Sequence, residues 1–108
     1  MPDPATAPLV ITVESTGDSA TAYVSGEVDI ENCQQFADAL AASASSHTHL
    51  HLDLGEVGYM DSSGLRALLV ARTAAQTAGG TLDVTVASPI VARLFEITGL
   101  TDILTPSI

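Results

Sequence analysis

The chain has no lysine and no tryptophan, and its only fixed cations are Arg66, Arg72 and Arg93. Against these three stand thirteen acidic residues, for a formal net charge of −10. A surface that acidic repels phosphate backbones and anionic headgroups, which argues against direct binding of nucleic acid or of a membrane surface. A partner with a basic face fits better, although an acidic surface also serves solubility whatever a protein does. Aromatic residues make up only 4% of the chain against 46% hydrophobic residues in all, so the core has to be built from Val, Ile, Leu and Ala. The single cysteine, Cys33, excludes an internal disulfide and suits a reducing compartment. No apolar run approaches the ~20 residues of a membrane-spanning helix. The first eight residues carry neither the basic start nor the apolar stretch of a secretion signal. Cytoplasmic localisation is the expectation. At 108 residues one core suffices without disulfides or metal, and neither a cofactor nor a metal site is expected.

What is present centres on residues 59–69, Tyr-Met-Asp-Ser-Ser-Gly-Leu-Arg-Ala-Leu-Leu, where an apolar strand-like run hands over to an Ala/Leu-rich helical one. Asp and Ser favour helix N-caps because their side-chain oxygens accept from backbone N–H groups that have no intrahelical partner. Gly64, Leu65, Leu68, Ala71 and Ala75 then recur at helical spacing, and Gly79-Gly80 marks the stop. A hydroxyl at such a helix mouth stands among free N–H groups at the positive end of the helix dipole, which suits a phosphate. Ser62 is therefore a candidate phosphate site. The plainer alternative is that Asp61 and Ser62 only cap the helix.

Residues 1–8, with three prolines, read as a disordered lead-in to a domain over 9–108. Residues 9–14 and 20–25 are β-type runs around a turn-rich loop, as in an antiparallel hairpin. A helix follows with Cys33, Phe36, Ala37, Leu40, Ala41 and Ala44 on one face, capped by Asp29 or Asn32 and ending in the polar stretch 43–48. Residues 49–54 alternate, with Leu50, Leu52 and Leu54 opposite His49, His51 and Asp53. Together with His47, these histidines invite a metal hypothesis, but ligands two apart on one strand stand ~6–7 Å apart per step, too far to close on one ion. Residues 81–87 are a strand. Ser88 then caps a helix with Pro89 in its first position, Val91, Leu94, Phe95 and Thr98 on one face and Gly99 at its end. Ile103 and Leu104 are expected to add a last short strand.

This order calls for an α/β domain with a mixed, mainly parallel sheet of about five strands, an N-terminal β-hairpin and three or four helices. In such sheets the loops leaving the carboxyl ends of the strands gather on one edge, where ligands and partners are met. Residues 26–29, 55–63 and 87–88 are those loops, so topology brings Asp29, Asp61, Ser62 and Ser88 into one neighbourhood. A phosphate on Ser62 is expected to be held there by backbone N–H groups with little refolding.

Four ordered segments carry a resemblance: Val24-Ser25-Gly26-Glu27-Val28-Asp29, Leu50-His51-Leu52-Asp53-Leu54, Tyr59-Met60-Asp61-Ser62-Ser63-Gly64-Leu65, and the fourteen residues from Ala87 to Leu100. With these, the chain resembles a STAS domain of the bacterial anti-sigma factor antagonist family. The resemblance implies a non-enzymatic protein that binds an anti-sigma factor serine kinase, frees a sigma factor in a partner-switching stress response, and is switched off by phosphorylation of Ser62. A metal-dependent protein phosphatase then restores it. It also implies a partner surface that includes Asp29, Asp61, Ser62, Ser63, Gly64 and Ser88. Two features depart from the family. The chain ends soon after Leu104 where relatives commonly carry a further helix, so the back of the sheet is left for a partner or a second copy, in a monomer or weak homodimer. Arg66 replaces a small residue four positions after Ser62, within reach of a phosphoserine on a helix.

Two other readings compete. STAS domains also serve in stress-sensing and lipid-transport assemblies, and fold alone does not separate those jobs. A serine hydrolase would use Ser62 at a strand-to-helix turn, but Met60 stands where the first glycine of a nucleophile elbow belongs, and no histidine follows the serine.

Overall fold

The computed structural model describes residues 8–101. Most of the expected lead-in, and the strand expected at Ile103 and Leu104, lie outside the described residues. Among the described residues are four strands, β1 (Val10–Thr16), β2 (Ser19–Val28), β3 (His49–Met60) and β4 (Thr81–Ala87), and three helices, α1 (Cys33–Ser46), α2 (Ser62–Thr77) and α3 (Pro89–Thr98). The sheet order is β1-β2-β3-β4. The first pair is antiparallel and the other two are parallel.

The hairpin loop is tighter than its composition implies. Thr16 pairs with Ser19, leaving only Gly17 and Asp18 between the strands. Gly17 has φ 64° while Asp18 stays at negative φ, and a glycine first in a two-residue turn matches the twist of paired strands.

Alternation then builds the core. Ala20, Ala22 and Val24 of β2, Leu50, Leu52 and Leu54 of β3, and Leu82 and Val84 of β4 are buried in one cluster with Phe36 and Leu40 of α1, Leu65 and Leu68 of α2, and Val91 and Phe95 of α3. α1 and α2 pack on each other, and α3 packs against β3 and β4. Tyr23, His51, Asp53 and Asp83 occupy the other phase of the alternation, on the opposite face.

β3 runs to Met60, six residues beyond the point where the sequence alternation stops. Two register shifts against β2, between Tyr23 and Ser25 and between Gly26 and Glu27, let seven steps along β3 accompany five along β2. Inward residues therefore come at Leu54, Val57 and Met60 instead of every second position. Bulges of this kind bend a strand and strengthen its twist, and here they bring Met60 level with Val28. The expected loops shrink accordingly. Residues 55–60 are strand, and β2 continues through Val28, so residues 26–28 are strand and not the expected loop.

α2 and β4 are joined through a narrow gap. The N–H groups of Gly80 and Thr81 bond Ala75 O at 2.8 Å and Thr48 O at 2.9 Å, and a Cβ on Gly80 would collide with the Thr48 carbonyl. Because that carbonyl is backbone, it has little freedom to retreat. Gly80→Ala is therefore expected to destabilise the fold by about 1–3 kcal/mol, measured as a lower urea midpoint with an unchanged m value.

Candidate functional site

The carboxyl ends of β2 and β3 form one rim. Val28 and Met60 are register partners, and the N–H of Asp61 donates to Val28 O at 3.2 Å. Asp29 and Asp61 are the next residues on these adjacent parallel strands, so both carboxylates leave the same edge. The turn at Asp29 is closed by side chains. Its Oδ1 accepts from the N–H groups of Glu31 and Asn32 at 3.0 and 3.2 Å. Asn32 in return accepts from the N–H of Asp29 at 2.9 Å and donates through Nδ2 to Glu27 O at 2.8 Å. Asn32 occupies the cap position of α1 without making a cap bond to it. Its side chain instead holds the loop that presents Asp29.

Asp61 is the N-cap of α2. Its Oδ1 accepts from Ser63 N at 2.9 Å and Gly64 N at 3.2 Å, and its carbonyl accepts from Leu65 N at 3.1 Å. Ser62, the first helical residue, is exposed. This narrows the expectation that free backbone donors await a phosphate, leaving the N–H of Ser62 itself. The N–H groups of Ser63 and Gly64 are already bonded to Asp61, and a phosphate on Ser62 would stand beside an occupied cap and its negative charge.

Gly64 and Ser88 depart from their expected place on a partner surface, because both are buried and face inward. A Cβ on Gly64 would lie 2.7 Å from Val28 Cγ1 and 2.9 Å from Met60 Cγ, so the missing side chain is what lets α2 start against the ends of β2 and β3. Ser88, 7% exposed, donates its hydroxyl to Val57 O at 2.6 Å and accepts from Val91 N at 3.4 Å. β4 pairs with β3 only as far as Leu54 and Ala87, so the Val57 carbonyl lies past the end of that ladder and Ser88 satisfies it. Neither residue offers a partner a side-chain contact. Both hold the rim in place.

Asp29 and Ser63 are half-buried at the rim, and Arg66 is exposed one turn along α2 from Ser62. Arg66 and Ser63 border a trough between α1 and α2. Ile30, 70% exposed between two acidic residues, and Val70, 62% exposed, border it too. Sequence reasoning passed over both. The available signal was an isoleucine in an otherwise polar loop and a valine outside the buried stripe of α2.

All three histidines stand away from Ser62. His49 and His51 lie at the start of β3, and His51 is nine residues before Met60, or ~30 Å of extended strand. His47 bonds Ser43 O and Ser15 Oγ, and His49 bonds Thr81 Oγ1, each at 2.9 Å. No imidazole is therefore placed to take a proton from the serine. Also away from the rim, the Tyr23 hydroxyl donates to Glu14 Oε1 at 3.4 Å, and the charge of that carboxylate, ahead of burial, holds it above the usual tyrosine value.

The comparisons with known proteins agree with this architecture. A family model described as Mlab, STAS domain matches residues 11–106. The anti-sigma-B factor antagonist of Listeria monocytogenes is 35% identical over 92 residues, covering 84% of this chain and 81% of that protein. An anti-sigma factor antagonist from Mycobacterium paratuberculosis superposes with a TM-score of 0.75 at 25% identity, over 94% of this chain and 88% of its own. The anti-sigma factor antagonist SpoIIAA superposes in its unphosphorylated form with a TM-score of 0.77, over 92% of this chain and 89% of its own. The phosphorylated Bacillus form gives 0.72, over 92% of each chain. At 19% identity, the SpoIIAA likeness is one of fold.

Two substitutions separate holding the rim from presenting it. Asp61→Ala removes the α2 cap and is expected to cost about 0.5–2 kcal/mol. Ser88→Ala strands a buried carbonyl and is expected to cost about 1–3 kcal/mol. Chemical denaturation measures both, and stability unchanged by Ser88→Ala would show that the Val57 carbonyl has another partner.

Proposed function

This chain belongs to the STAS domain family, among its anti-sigma factor antagonists, and we propose that the Asp29–Asp61–Ser62 rim is where it binds an anti-sigma factor serine kinase and so frees a sigma factor. One observation supports the reading above the rest. An exposed serine hydroxyl stands at the first position of α2, on the same edge as two carboxylates whose loops are pinned by hydrogen bonds. A rigid acidic rim of this kind complements a basic partner.

In this reading the protein is a substrate and catalyses nothing. The kinase supplies ATP, Mg²⁺ and the base. The phosphoryl group it leaves on Ser62 adds about −1.5 to −2 charges beside Asp61 and Asp29. Asp61 keeps its cap bonds, so the phosphate projects outward and docking is lost through bulk and repulsion, with the sheet unchanged. Arg66, one helical turn away, pairs with the phosphate and stabilises the modified form. A metal-dependent phosphatase removes the group and restores docking. The exchange takes place in the cytoplasm, with the chain a monomer or weak homodimer. Among the described residues, no helix is long and apolar enough to cross a membrane.

The test is to recover the chain from its host with whatever binds it and to measure intact mass with and without Ser62→Ala. One phosphate is expected on the wild type and none on the variant. Phosphorylation is expected to weaken kinase binding about a hundredfold or more, some 3 kcal/mol, in calorimetry. Ser62→Ala should bind whether or not ATP is present. Phosphate elsewhere, or co-purification with a transport ATPase and no phosphoserine, would overturn the reading. Arg66→Ala is expected to change the dephosphorylation rate of Ser62, and equal rates in both directions would remove Arg66 from the account.

A further inference from the structure

α1 and α2 run side by side from the rim towards the opposite edge, and the surface between them is not closed. Residues at helical spacing on each, among them Ala37, Ala41 and Ala44 on α1 and Ala67, Ala74 and Ala78 on α2, line a trough of about 700 Å³. A second hollow of about 290 Å³ shares Ala44, Ala75 and Ala78 with it and continues to His47 and Gly80. The depression is thus elongated, following helices of 14 and 16 residues, or ~21–24 Å. Alanines make up half of the residues that line it. Ile30 and Val70 stand at its border, 70% and 62% exposed.

We propose that this trough seats an amphipathic helix of the kinase that docks at the rim, an inference that rests on the reading above. Three features favour this occupant. The length suits a helix of about fourteen residues lying along the groove, whereas a compact small molecule would fill only one part. A floor of alanines admits the close approach of a second helix carrying an aliphatic stripe. The charge around it is mainly acidic, with Arg66 on the α2 side the one cation in its lining. The α1 border carries Asp38, with Glu31 beside Ile30 and the Asp29–Asp61 rim at the mouth, on a chain of net charge −10. Basic residues flanking the stripe complement that border, whereas a second copy of this chain would bring another ten negative charges. The trough opens at Ser63 and Arg66, next to Ser62. A helix seated in it reaches the residue to be phosphorylated, so the trough supplies contact area while the serine controls access.

The test measures the affinity of the full chain for the purified kinase that phosphorylates Ser62. Val70→Arg and Ala41→Arg, both at exposed positions, place bulk and positive charge in the trough, and each is expected to weaken binding at least about tenfold. Thr12→Arg, exposed on the hairpin, is expected to bind like the wild type. Circular dichroism and melting confirm folding, and should Ala41→Arg not fold, Val70→Arg tests the same trough. A photo-crosslinker at position 70 is expected to capture a helical kinase segment with basic flanks. Wild-type affinity in both trough variants, with phosphorylation of Ser62 still abolishing binding, overturns this inference and leaves the rim reading standing. Unchanged affinity after phosphorylation overturns the rim reading instead. A crosslink to a second copy, or an acyl chain retained in native mass spectra and expelled by Val70→Arg, assigns the trough to another occupant and overturns the proposal.

Discussion

The site depends on the parallel pairing of β2 with β3 and on its two irregularities. Without the extra residues in β3, Met60 would not stand opposite Val28, and Asp61 would not donate its N–H to the Val28 carbonyl. That single backbone bond joins the two loops carrying the acidic residues. Gly64 completes the junction by letting α2 begin in contact with Val28 and Met60. The position of Ser62 is thus an outcome of strand register, transmitted through one carbonyl and one missing side chain. Rim and core are not separable.

Much of this could be read from residue order. The helix starting at Ser88-Pro89 and ending at Gly99 is as expected, with the Ser88 cap bond and a left-handed Gly99 at φ 73°. The α2 start at Asp61 followed from capping chemistry, and the Gly79-Gly80 stop from backbone preference. The upper half of β3 was not legible, because the alternation that marks residues 49–54 as strand is erased by the bulges beyond them. Leu54, Val57 and Met60 look aperiodic until the partner strand supplies the count.

The same limit shaped the reading of the site. Topology put Asp29, Asp61, Ser62, Gly64 and Ser88 in one neighbourhood, and the backbone does gather there. Proximity says nothing about direction, however, and Gly64 and Ser88 turn inward to meet Val28 and the Val57 carbonyl. Nor does order say which donors are free at a helix mouth. The carboxylate that made a phosphate-binding mouth plausible is the group that fills it, since Asp61 takes the N–H groups of Ser63 and Gly64. Helix-end electrostatics therefore point the same way as the acidic rim, and a modified Ser62 gains little shelter from the backbone.

Ser62 also sits within the first helical turn, with Asp61 bonded across it to the next two residues. Drawing this serine out as an extended strand would break that cap, at a cost of about 0.5–2 kcal/mol. If Ser62 is phosphorylated as proposed, a catalytic cleft that accepts the folded helix start keeps those bonds, and selectivity then rests on three-dimensional shape as well as on the residues around the serine. A short peptide copied from this stretch would make a poor substitute for the intact domain.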